Sequence, residues 1–376
     1  MSSDAVSGRL ARTLAVALGC GLASLMPLAA APSPPADCLQ RLAQPGGERL
    51  HAECLRRVYH GPSQHWPAPT VDAGVRWQEL APRRPLPPQP PALVALGEQL
   101  FFERALSRHH DLSCASCHAP HLGFADGRRL AQGHEAAVGP RHTPHLLGVG
   151  QVPAQALMWD GRAADLERQA VLPITNPLEM AMDLPTLLQR LGRDAAYAAR
   201  FRSVFADDAV TVERLGQALA AFQRTIAAPR SRFDAFIEGQ REVLTETELR
   251  GLHLFRTRAR CMNCHSGPEL TQHEFHQIGI SFLGRPREDK GRQAVTGRTE
   301  GLGSFRTPSL RGLSRTAPYM HQGILATLRQ VVDLYNAGMV APPQRDPPLP
   351  GPTPLIQRLQ LTRQEMDDLE AFLKTL

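Results

Sequence analysis

The sequence predicts a mostly α-helical protein with two domains of similar construction. Its 376 residues suffice for two hydrophobic cores. Apolar residues recur at helical spacing in several segments, whereas the alternation of Val, Ile and Tyr that suits strands is nearly absent. A G-x-x-L-F pattern also occurs twice, at Gly97–Phe101 and Gly251–Phe255, each time shortly before a C-x-x-C-H motif. This duplication predicts that the two domains are related by an internal repeat.

The first 31 residues are predicted to be a signal peptide. Arg9 and Arg12 precede the apolar run LAVALGCGLASLMPL, and the run is followed by small residues typical of a cleavage site. An uncleaved anchor is the alternative, although two glycines and a proline interrupt the run. A lipoprotein attachment site at Cys20 is a further alternative. We therefore expect a periplasmic protein that is cleaved near Ala31.

Residues 32–91 are predicted to form an extended N-terminal arm with little core of its own. The segment is rich in proline, with PRRPLPPQPP at its end, and one short helix is expected within Leu39–Val58. Cys38 and Cys54 lie outside the signal peptide and the C-x-x-C-H motifs. In an exported chain this pair favours a disulfide, with two free buried thiols as the alternative.

The two C-x-x-C-H motifs are the strongest chemical signal in the sequence. They consist of Cys114, Cys117 and His118, and of Cys261, Cys264 and His265. On a helical turn both thiols face the same way and can form thioethers with the haem vinyl groups, and the histidine becomes the proximal iron ligand. A zinc site would need a second ligand pair nearby, which neither motif has. The sequence therefore predicts two cytochrome c-like domains, each with one covalently attached c-type haem.

Helix signals follow the motifs in both domains. Apolar positions from Val212 to Ile226 predict an amphipathic helix, and the capping boxes at residues 245–248 and 362–365 predict two helix starts. In residues 327–338 the sequence TLRQVVDLYNAG predicts a helix that begins after a threonine, ends at a glycine and directs Tyr335 inward.

These elements predict an N-terminal haem domain over residues 92–240 and a C-terminal haem domain over residues 241–376. The formal net charge is +6, but no basic run is longer than two residues, which excludes a nucleic-acid-binding function. A weakly basic surface suits docking to a small acidic carrier protein.

Several sequence blocks within residues 92–376 are specific enough to indicate a family. They are GEQLFFERALS, SCASCHAPHLGFADG, MWDGRAADLERQA, NPLEMAM and FRTPSLRGLSRTAPYMHQG, in that order. Together they resemble the bacterial di-haem cytochrome c peroxidase family, which includes the MauG-type enzymes of methylamine utilisation. The resemblance implies that the haem held by His118 reacts with peroxide and that the haem held by His265 transfers electrons.

The resemblance also implies three catalytic residues. Glu179 would move a proton between the peroxide oxygens, Gln169 would orient the peroxide, and Trp159 would relay electrons between the haems. Heterolysis of the O–O bond requires such a proton transfer. From the residues alone, Glu179 could instead cap or pair within a loop, and Trp159 could be an ordinary core indole.

The remaining iron ligands are less specific. In peroxidases of the family a histidine at the position of His134 is the second ligand of the N-terminal haem and leaves before peroxide binds, whereas MauG-type enzymes keep that haem open. A solvated loop histidine is the alternative. Tyr335 stands where the C-terminal haem takes a methionine, and a phenolate there favours ferric iron. Met320 and Met339 are rival ligands, and a core tyrosine remains the alternative.

A calcium ion between the haems is a candidate further cofactor. Thr316 and Pro318 match carbonyl donors of the family, but His142 stands where an asparagine ligand is usual, and calcium prefers oxygen. The calcium site is therefore an open question at the level of sequence.

The leading functional hypothesis is a periplasmic peroxidase that reduces hydrogen peroxide with electrons from a small cytochrome c or copper protein. A MauG-like enzyme that oxidises side chains of a partner protein is the second hypothesis. A non-catalytic di-haem electron carrier is the third, and it would need neither Gln169 nor Glu179. A homodimer is a candidate assembly.

Overall fold

The structure is a computed structural model that describes Cys38, residues 52–344, Asp346 and residues 348–376. The predicted signal peptide and most of the predicted helix within Leu39–Val58 lie outside these residues. The described helices are α1 (Ala52–Val58), α2 (Pro91–Phe102), α3 (Cys114–Cys117), α4 (Leu166–Thr175), α5 (Leu184–Arg193), α6 (Ala195–Phe205), α7 (Val212–Gln223), α8 (Arg232–Ile237), α9 (Glu246–Arg256), α10 (Gln293–Thr296), α11 (Leu328–Ala337) and α12 (Arg363–Leu373). Two short strands, β1 (Phe275–His276) and β2 (Phe305–Arg306), pair antiparallel. The prediction of a mostly α-helical fold is confirmed.

Local capping interactions start the helices where the sequence predicts them. Thr245 and Glu248 hydrogen-bond each other's backbone N–H groups at the start of α9, and a second capping box precedes α12. Helix α11 begins after Thr327, whose side chain accepts a hydrogen bond from the N–H of Gln330, and it ends at Gly338 with φ +80°. These bonds satisfy N–H groups that the first turn of a helix leaves without partners.

The N-terminal half has a core built around the crossing of α2 and α7. A side-chain Cβ at Gly97 would overlap the carbonyl oxygen of Ala218, so only glycine permits this crossing. The buried side chains of the core include Leu96, Leu100, Phe101, Leu215, Leu219 and Phe222. Helix α4 also packs on α7, where a Cβ at Gly216 would meet the carbonyl oxygen of Glu167.

The C-terminal half has a corresponding crossing between α9 and α12. A Cβ at Gly251 would overlap the carbonyl oxygen of Asp368, so the backbones again meet at a glycine. Phe255 packs edge-on against Phe372 beside this contact, with ring centroids 5.4 Å apart. The crossing fixes the end of α9, which leads directly into the second motif.

The arm before α2 packs into the core of the C-terminal half. Leu55, Tyr59, Trp66 and Leu80 are buried there among side chains of α9 and α12. The predicted disulfide between Cys38 and Cys54 is confirmed. The segment that its prolines predict to be an extended arm therefore completes a core formed by the last third of the chain.

Arg256, at the end of α9, is the main polar anchor of the arm. Its guanidinium is 1% exposed, pairs with Glu79 and donates to the carbonyl of Pro67 at 2.6 Å. It also lies over the ring of Trp66, 5.2 Å from the centroid. A buried cation is stable only when it is paired and hydrogen-bonded, and here all its partners come from the arm.

Buried ion pairs join the two halves. Arg141 donates to Asp160 at 2.6 Å and to both oxygens of Asp289 at 2.8 Å. The bidentate geometry of the second pair fixes the relative orientation of the two segments. No helix within the described ranges is long and apolar enough to cross a membrane.

Candidate haem sites

The first C-x-x-C-H motif lies on α3 and the residue that follows it. Ser113 and Ser116 form a capping box that starts this single turn, so both thiols stand on one side of it. Cys114 and Cys117 are free thiols. The Nδ1–H of His118 donates to the carbonyl of Phe124 at 2.9 Å, which leaves Nε2 as a ligand atom.

The second motif has the same hydrogen-bond pattern on a 3₁₀ turn at Cys261–Asn263. The N–H of His265 donates to the carbonyl of Cys261 at 2.8 Å, and its Nδ1–H donates to the carbonyl of Leu270 at 3.0 Å. Burial lowers the pKa of His265 to about 4, so the imidazole is neutral at pH 7. A neutral ring with Nδ1 engaged is the form that binds a metal through Nε2.

A cavity with an empty volume of about 520 Å³, here called the N-terminal cavity, adjoins the first motif. Its lining includes both motif thiols and His118, together with Gln169 from α4 and Glu179 from the loop after α4. The structure thus brings Gln169 and Glu179 to the wall of the cavity that the first motif borders.

Glu179 and Gln169 are both suited to contact a small polar ligand. Burial raises the pKa of Glu179, and its Oε1 accepts a hydrogen bond from Asn176 at 2.6 Å. The Oε1 of Gln169 is buried without a hydrogen-bond partner among the described residues, and its Nε2 lies 3.6 Å from the sulfur of Met158. A buried acceptor without a partner is costly unless a ligand supplies the donor.

A larger cavity, the C-terminal cavity, has an empty volume of about 1350 Å³ and adjoins the second motif. Its walls are mostly apolar and include Val331 and Val332 of α11. Two candidate iron ligands, Tyr335 and Met320, line it. Met339 lies beyond α11, packed towards Gly279, and is not among the lining residues.

Tyr335 faces the C-terminal cavity from the last turn of α11. Val332 precedes it by three residues, so the apolar stripe of the helix forms the cavity wall and carries the phenol with it. Burial raises the pKa of Tyr335, and the nearby thiols of Cys264 and Cys261 contribute to the rise. The partly buried phenol therefore lines the same cavity as the second motif.

Two consecutive residues, Met158 and Trp159, contact a residue of one cavity wall and line the other cavity, respectively. The sulfur of Met158 touches the amide of Gln169 at the N-terminal cavity, whereas the indole of Trp159 lines the C-terminal cavity. The Nε1–H of Trp159 donates to the carbonyl of His142 at 2.9 Å, which fixes the ring. This segment therefore joins Gln169, a residue of the N-terminal cavity wall, to the wall of the C-terminal cavity.

His134 does not line the N-terminal cavity in this conformation. Its backbone N–H donates to the carbonyl of Glu179 at 2.7 Å, so its loop lies against the loop that carries the carboxylate. The imidazole stacks on that of His109, with ring centroids 4.8 Å apart, and its Nδ1 is buried without a partner among the described residues.

Comparison with known proteins identifies the family. The family profile described as di-haem cytochrome c peroxidase matches residues 91–242. The methylamine utilization protein MauG of Methylophilus methylotrophus is 39% identical over 287 residues, which cover 75% of this chain and 82% of that protein. The chain belongs to the di-haem cytochrome c peroxidase family.

Two further relatives carry peroxidase names. The cytochrome c551 peroxidase of Nitrosomonas europaea is 34% identical over 307 residues, covering 80% of this chain and 84% of that protein. The solved diheme peroxidase BthA from Burkholderia thailandensis has a TM-score of 0.67 and 29% identity, covering 84% of this chain and 94% of that one. The chain is therefore a peroxidase-type oxidoreductase of a family that uses haem.

The residues at both cavities of this di-haem peroxidase family member fit haem. Each cavity has two thiols and a neutral histidine whose Nε2 is available, and the larger cavity has apolar walls for a porphyrin face. Arg306, which the sequence did not single out, adds a cation for a propionate carboxylate. It lines the C-terminal cavity and forms no ion pair with an acidic side chain within the described ranges. Burial lowers its pKa to about 10.

His321 is a second residue that sequence reasoning missed. Its ring stacks on Phe305 with centroids 3.6 Å apart, it lines the C-terminal cavity, and its buried Nε2 has no partner among the described residues. It lies directly after Met320 in the PYMH sequence, but only the fold reveals that both residues border the cavity.

The imidazole of His142 hydrogen-bonds to the backbone in this conformation. Its Nδ1–H donates to the carbonyl of Arg128 at 2.7 Å, and the same nitrogen lies 4.0 Å from Asp126. Thr316 and Pro318 lie on the segment before Met320, with a cis peptide bond preceding the proline. Their carbonyls remain the candidate calcium donors.

Proposed function

We propose that this family member is a periplasmic di-haem c-type peroxidase that reduces hydrogen peroxide with electrons from a small cytochrome c or copper protein. The observation that carries the proposal is the pairing of Gln169 and Glu179 on the wall of the N-terminal cavity, beside the first C-x-x-C-H motif. An electron carrier has no use for a buried carboxyl and an unsatisfied amide at its iron. The predicted export signal supports the location.

Both haems are proposed to be bound covalently. Cys114 and Cys117 would hold the first and Cys261 and Cys264 the second, with His118 and His265 as proximal ligands. The matched helix crossings at Gly97 and Gly251, one before each motif, support an internal repeat that relates the two sites.

At the N-terminal cavity, Cys114, Cys117 and His118 would hold a haem that would supply redox-active iron for the reduction of peroxide. Glu179 is proposed to hold the mobile proton, because burial favours its protonated form. The amide of Asn176 restrains the carboxyl group, and Oε1 of Gln169 would accept a hydrogen bond from the bound peroxide. Together they would deliver a proton to the departing oxygen.

At the C-terminal cavity, His265 and Tyr335 are proposed to be the iron ligands. A phenolate stabilises ferric and higher oxidation states. Met320 also lines the cavity and remains the rival ligand. Trp159 is proposed to relay electrons, since it lines the C-terminal cavity and its neighbour Met158 contacts Gln169 of the N-terminal cavity wall.

A MauG-like function, in which the oxidising equivalents pass to side chains of a partner protein, is the second candidate. Tyr335 favours it, because an oxidised state stored at the C-terminal haem could serve a protein substrate. The 39% identity to a MauG protein also favours it. Ligation of the first haem by His134 would oppose it, because that haem would then be closed at rest.

Turnover of hydrogen peroxide by the purified mature protein, with a reduced small cytochrome c as donor, tests the proposal. A pyridine haemochrome titration should first give two covalently bound haems per chain. We expect steady peroxide consumption coupled to donor oxidation. Two haems with no turnover would contradict the peroxidase proposal, and a search for a partner protein that becomes oxidised would then test the MauG-like alternative.

Low-temperature EPR of the oxidised protein tests the ligand assignment at the C-terminal haem. Tyr335→Phe removes the phenolate and should change the spectrum of that haem, whereas Met320→Leu should leave it unchanged. The opposite result would assign the ligand to Met320. Haem content of both variants serves as the control for folding.

A further inference from the structure

A cluster of metal-ligating side chains lies beside the N-terminal cavity and has no role in the proposed reaction. Within the described residues, His109, His134 and Glu135 place their ligand atoms within 4.8 Å of one another. Oε1 of Glu135 lies 3.5 Å from Nε2 of His109 and 3.8 Å from Nε2 of His134. Three ligands around a tetrahedral zinc ion stand about 3.3 Å apart, so a small closure of the side chains would suffice.

The backbone prepares this arrangement. Neighbouring residues in a chain ordinarily direct their side chains apart, but Glu135 has φ +50° in the left-handed region, and its carboxylate therefore turns towards the ring of His134. The loop is held by hydrogen bonds from the N–H of Gly133 to Ala137 and from the N–H of His134 to Glu179. A side chain at Gly133 would also meet the backbone of Glu179.

Two of the three side chains are exposed to solvent and the third is largely buried, so an ion could enter from the solvent side. The side chain of His134 is 11% exposed, whereas those of His109 and Glu135 are 53% and 75% exposed. The two outer ligands can therefore adjust more freely than the inner one. The stacked imidazoles present two nitrogen atoms next to one carboxylate, and this donor set suits Zn²⁺ or Cu²⁺ rather than the oxygen-seeking Ca²⁺.

We propose that His109, His134 and Glu135 form a binding site for a divalent transition-metal ion, which holds His134 away from the N-terminal haem. The second part rests on the proposed function and on the sequence-based hypothesis that His134 is the second ligand of that haem. Nε2 of His134 can bind either the ion or the haem iron, but not both at once. Metal binding at this surface would therefore keep the peroxide-reacting side open.

Isothermal titration of Zn²⁺ into the chelator-treated holoprotein tests the site itself. We expect one site in the wild type, and a decrease in affinity of at least about tenfold in His109→Gln. His60→Gln, which alters an exposed histidine of the arm, should bind Zn²⁺ like the wild type. Equal affinity of the wild type and His109→Gln would overturn the proposal, whether or not the protein consumes peroxide.

Low-temperature EPR of the oxidised holoprotein tests the competition, because Zn²⁺ is diamagnetic and leaves only the haem signals. Zn²⁺ should lower the fraction of low-spin N-terminal haem in the wild type and should not change it in His109→Gln. A wild-type spectrum that does not change although calorimetry shows bound Zn²⁺ would overturn the proposed hold on His134. Absence of peroxide turnover would contradict the proposed function. It would not affect the two tests of the metal site, which are the Zn²⁺ affinity and the spin state of the N-terminal haem.

Discussion

Glu179 is a partly buried carboxyl group beside Asn176 on the wall of the N-terminal cavity. Burial raises its pKa, and the structure offers it a neutral amide instead of a cation as its side-chain partner. Such a group costs stability relative to an exposed carboxylate. Its position at the cavity wall fits the proton-transfer role proposed for it.

Glu179→Gln should lower the rate of peroxide turnover about 10²- to 10⁴-fold, because the amide keeps the shape of the side chain and cannot donate and regain a proton. Stopped-flow measurement of peroxide consumption at equal haem content checks this. Glu98→Gln, on the exposed face of α2, is the matched control and should have wild-type activity. A rate for Glu179→Gln within twofold of the wild type would exclude the catalytic role.

His253 is a buried histidine whose neutrality contributes to stability. Its Nδ1 accepts a hydrogen bond from the hydroxyl of Tyr59 at 2.7 Å, and burial lowers its pKa to about 4. The unfolded state, with an ordinary histidine pKa of about 6.5, binds a proton in the range where the folded state does not. Stability conferred by the neutral ring is therefore present at pH 7 and is lost as the pH falls towards 4.

Between pH 7 and pH 5 this single group should reduce the free energy of unfolding by about 2 kcal/mol. In His253→Gln the loss over the same interval should be smaller by that amount, since glutamine can accept the tyrosine hydrogen bond but does not titrate. Urea unfolding of both proteins at the two pH values measures the difference. His60→Gln should show the wild-type dependence, and an identical dependence in His253→Gln would contradict the assignment.

At the scale of the secondary-structure elements, two glycine contacts set the crossings of α2 with α7 and of α9 with α12. At Gly251 an added methyl group would overlap the backbone of Asp368. Backbone cannot move aside as a flexible side chain can, so the two helices would have to separate. The close approach of α9 and α12 also positions the end of α9 and therefore the second motif that follows it.

Gly251→Ala should lower the free energy of unfolding by at least about 3 kcal/mol. Gly192→Ala is the matched control, because Gly192 is exposed near the end of α5 and has no atom within 4 Å of an added Cβ. That control should be neutral or stabilising by about 0.5 kcal/mol. Denaturant unfolding measures both. Equal stabilities for the two variants would show that α9 and α12 can move apart without cost.

The elements whose boundaries depend on local chemistry could be predicted from the sequence. The capping boxes at Thr245 and Thr362 and the glycine that ends α11 are complete within a few residues. The docking of the arm could not be predicted, because Arg256 and Glu79 are far apart in the chain and each is common in solvent-exposed helices and loops.

At the scale of the whole molecule, the pairing of Arg141 with Asp160 and Asp289 joins the halves. All three side chains are largely buried. Arg162 and Arg141 hold the pKa of Asp160 below its usual range, and Arg141 does the same for Asp289. Removal of the Arg141 cation would leave the buried carboxylate of Asp289 without the guanidinium that binds both its oxygens. Removing one partner of a buried ion pair lowers the free energy of unfolding far more than replacing the whole pair by apolar residues does.

Arg141→Met should lower the free energy of unfolding by about 3 kcal/mol and loosen the junction between the halves. Arg168→Gln, an arginine on α4 whose side chain is 76% exposed, should change it by less than about 0.5 kcal/mol. Thermal and urea unfolding measure both effects. Full stability of Arg141→Met would mean that apolar contacts alone hold the halves together.

The site was predictable to the extent that one motif or one family block contains it. The C-x-x-C-H motifs stand at the two cavities, and Gln169 and Glu179, named from two family blocks, line the first. His109 and Arg306 carry no local pattern. Their significance arises only when the fold places one beside His134 and the other in the cavity wall.

The arm gives the molecule a particular order of completion. Residues translated early, from Leu55 to Leu80, fill space in a core whose other side chains are translated nearly two hundred positions later. Such closure over a long stretch of chain is slow. Until α9 has been synthesised, the apolar side chains of this early segment are exposed to solvent. They therefore form a defined surface to which a chaperone could bind.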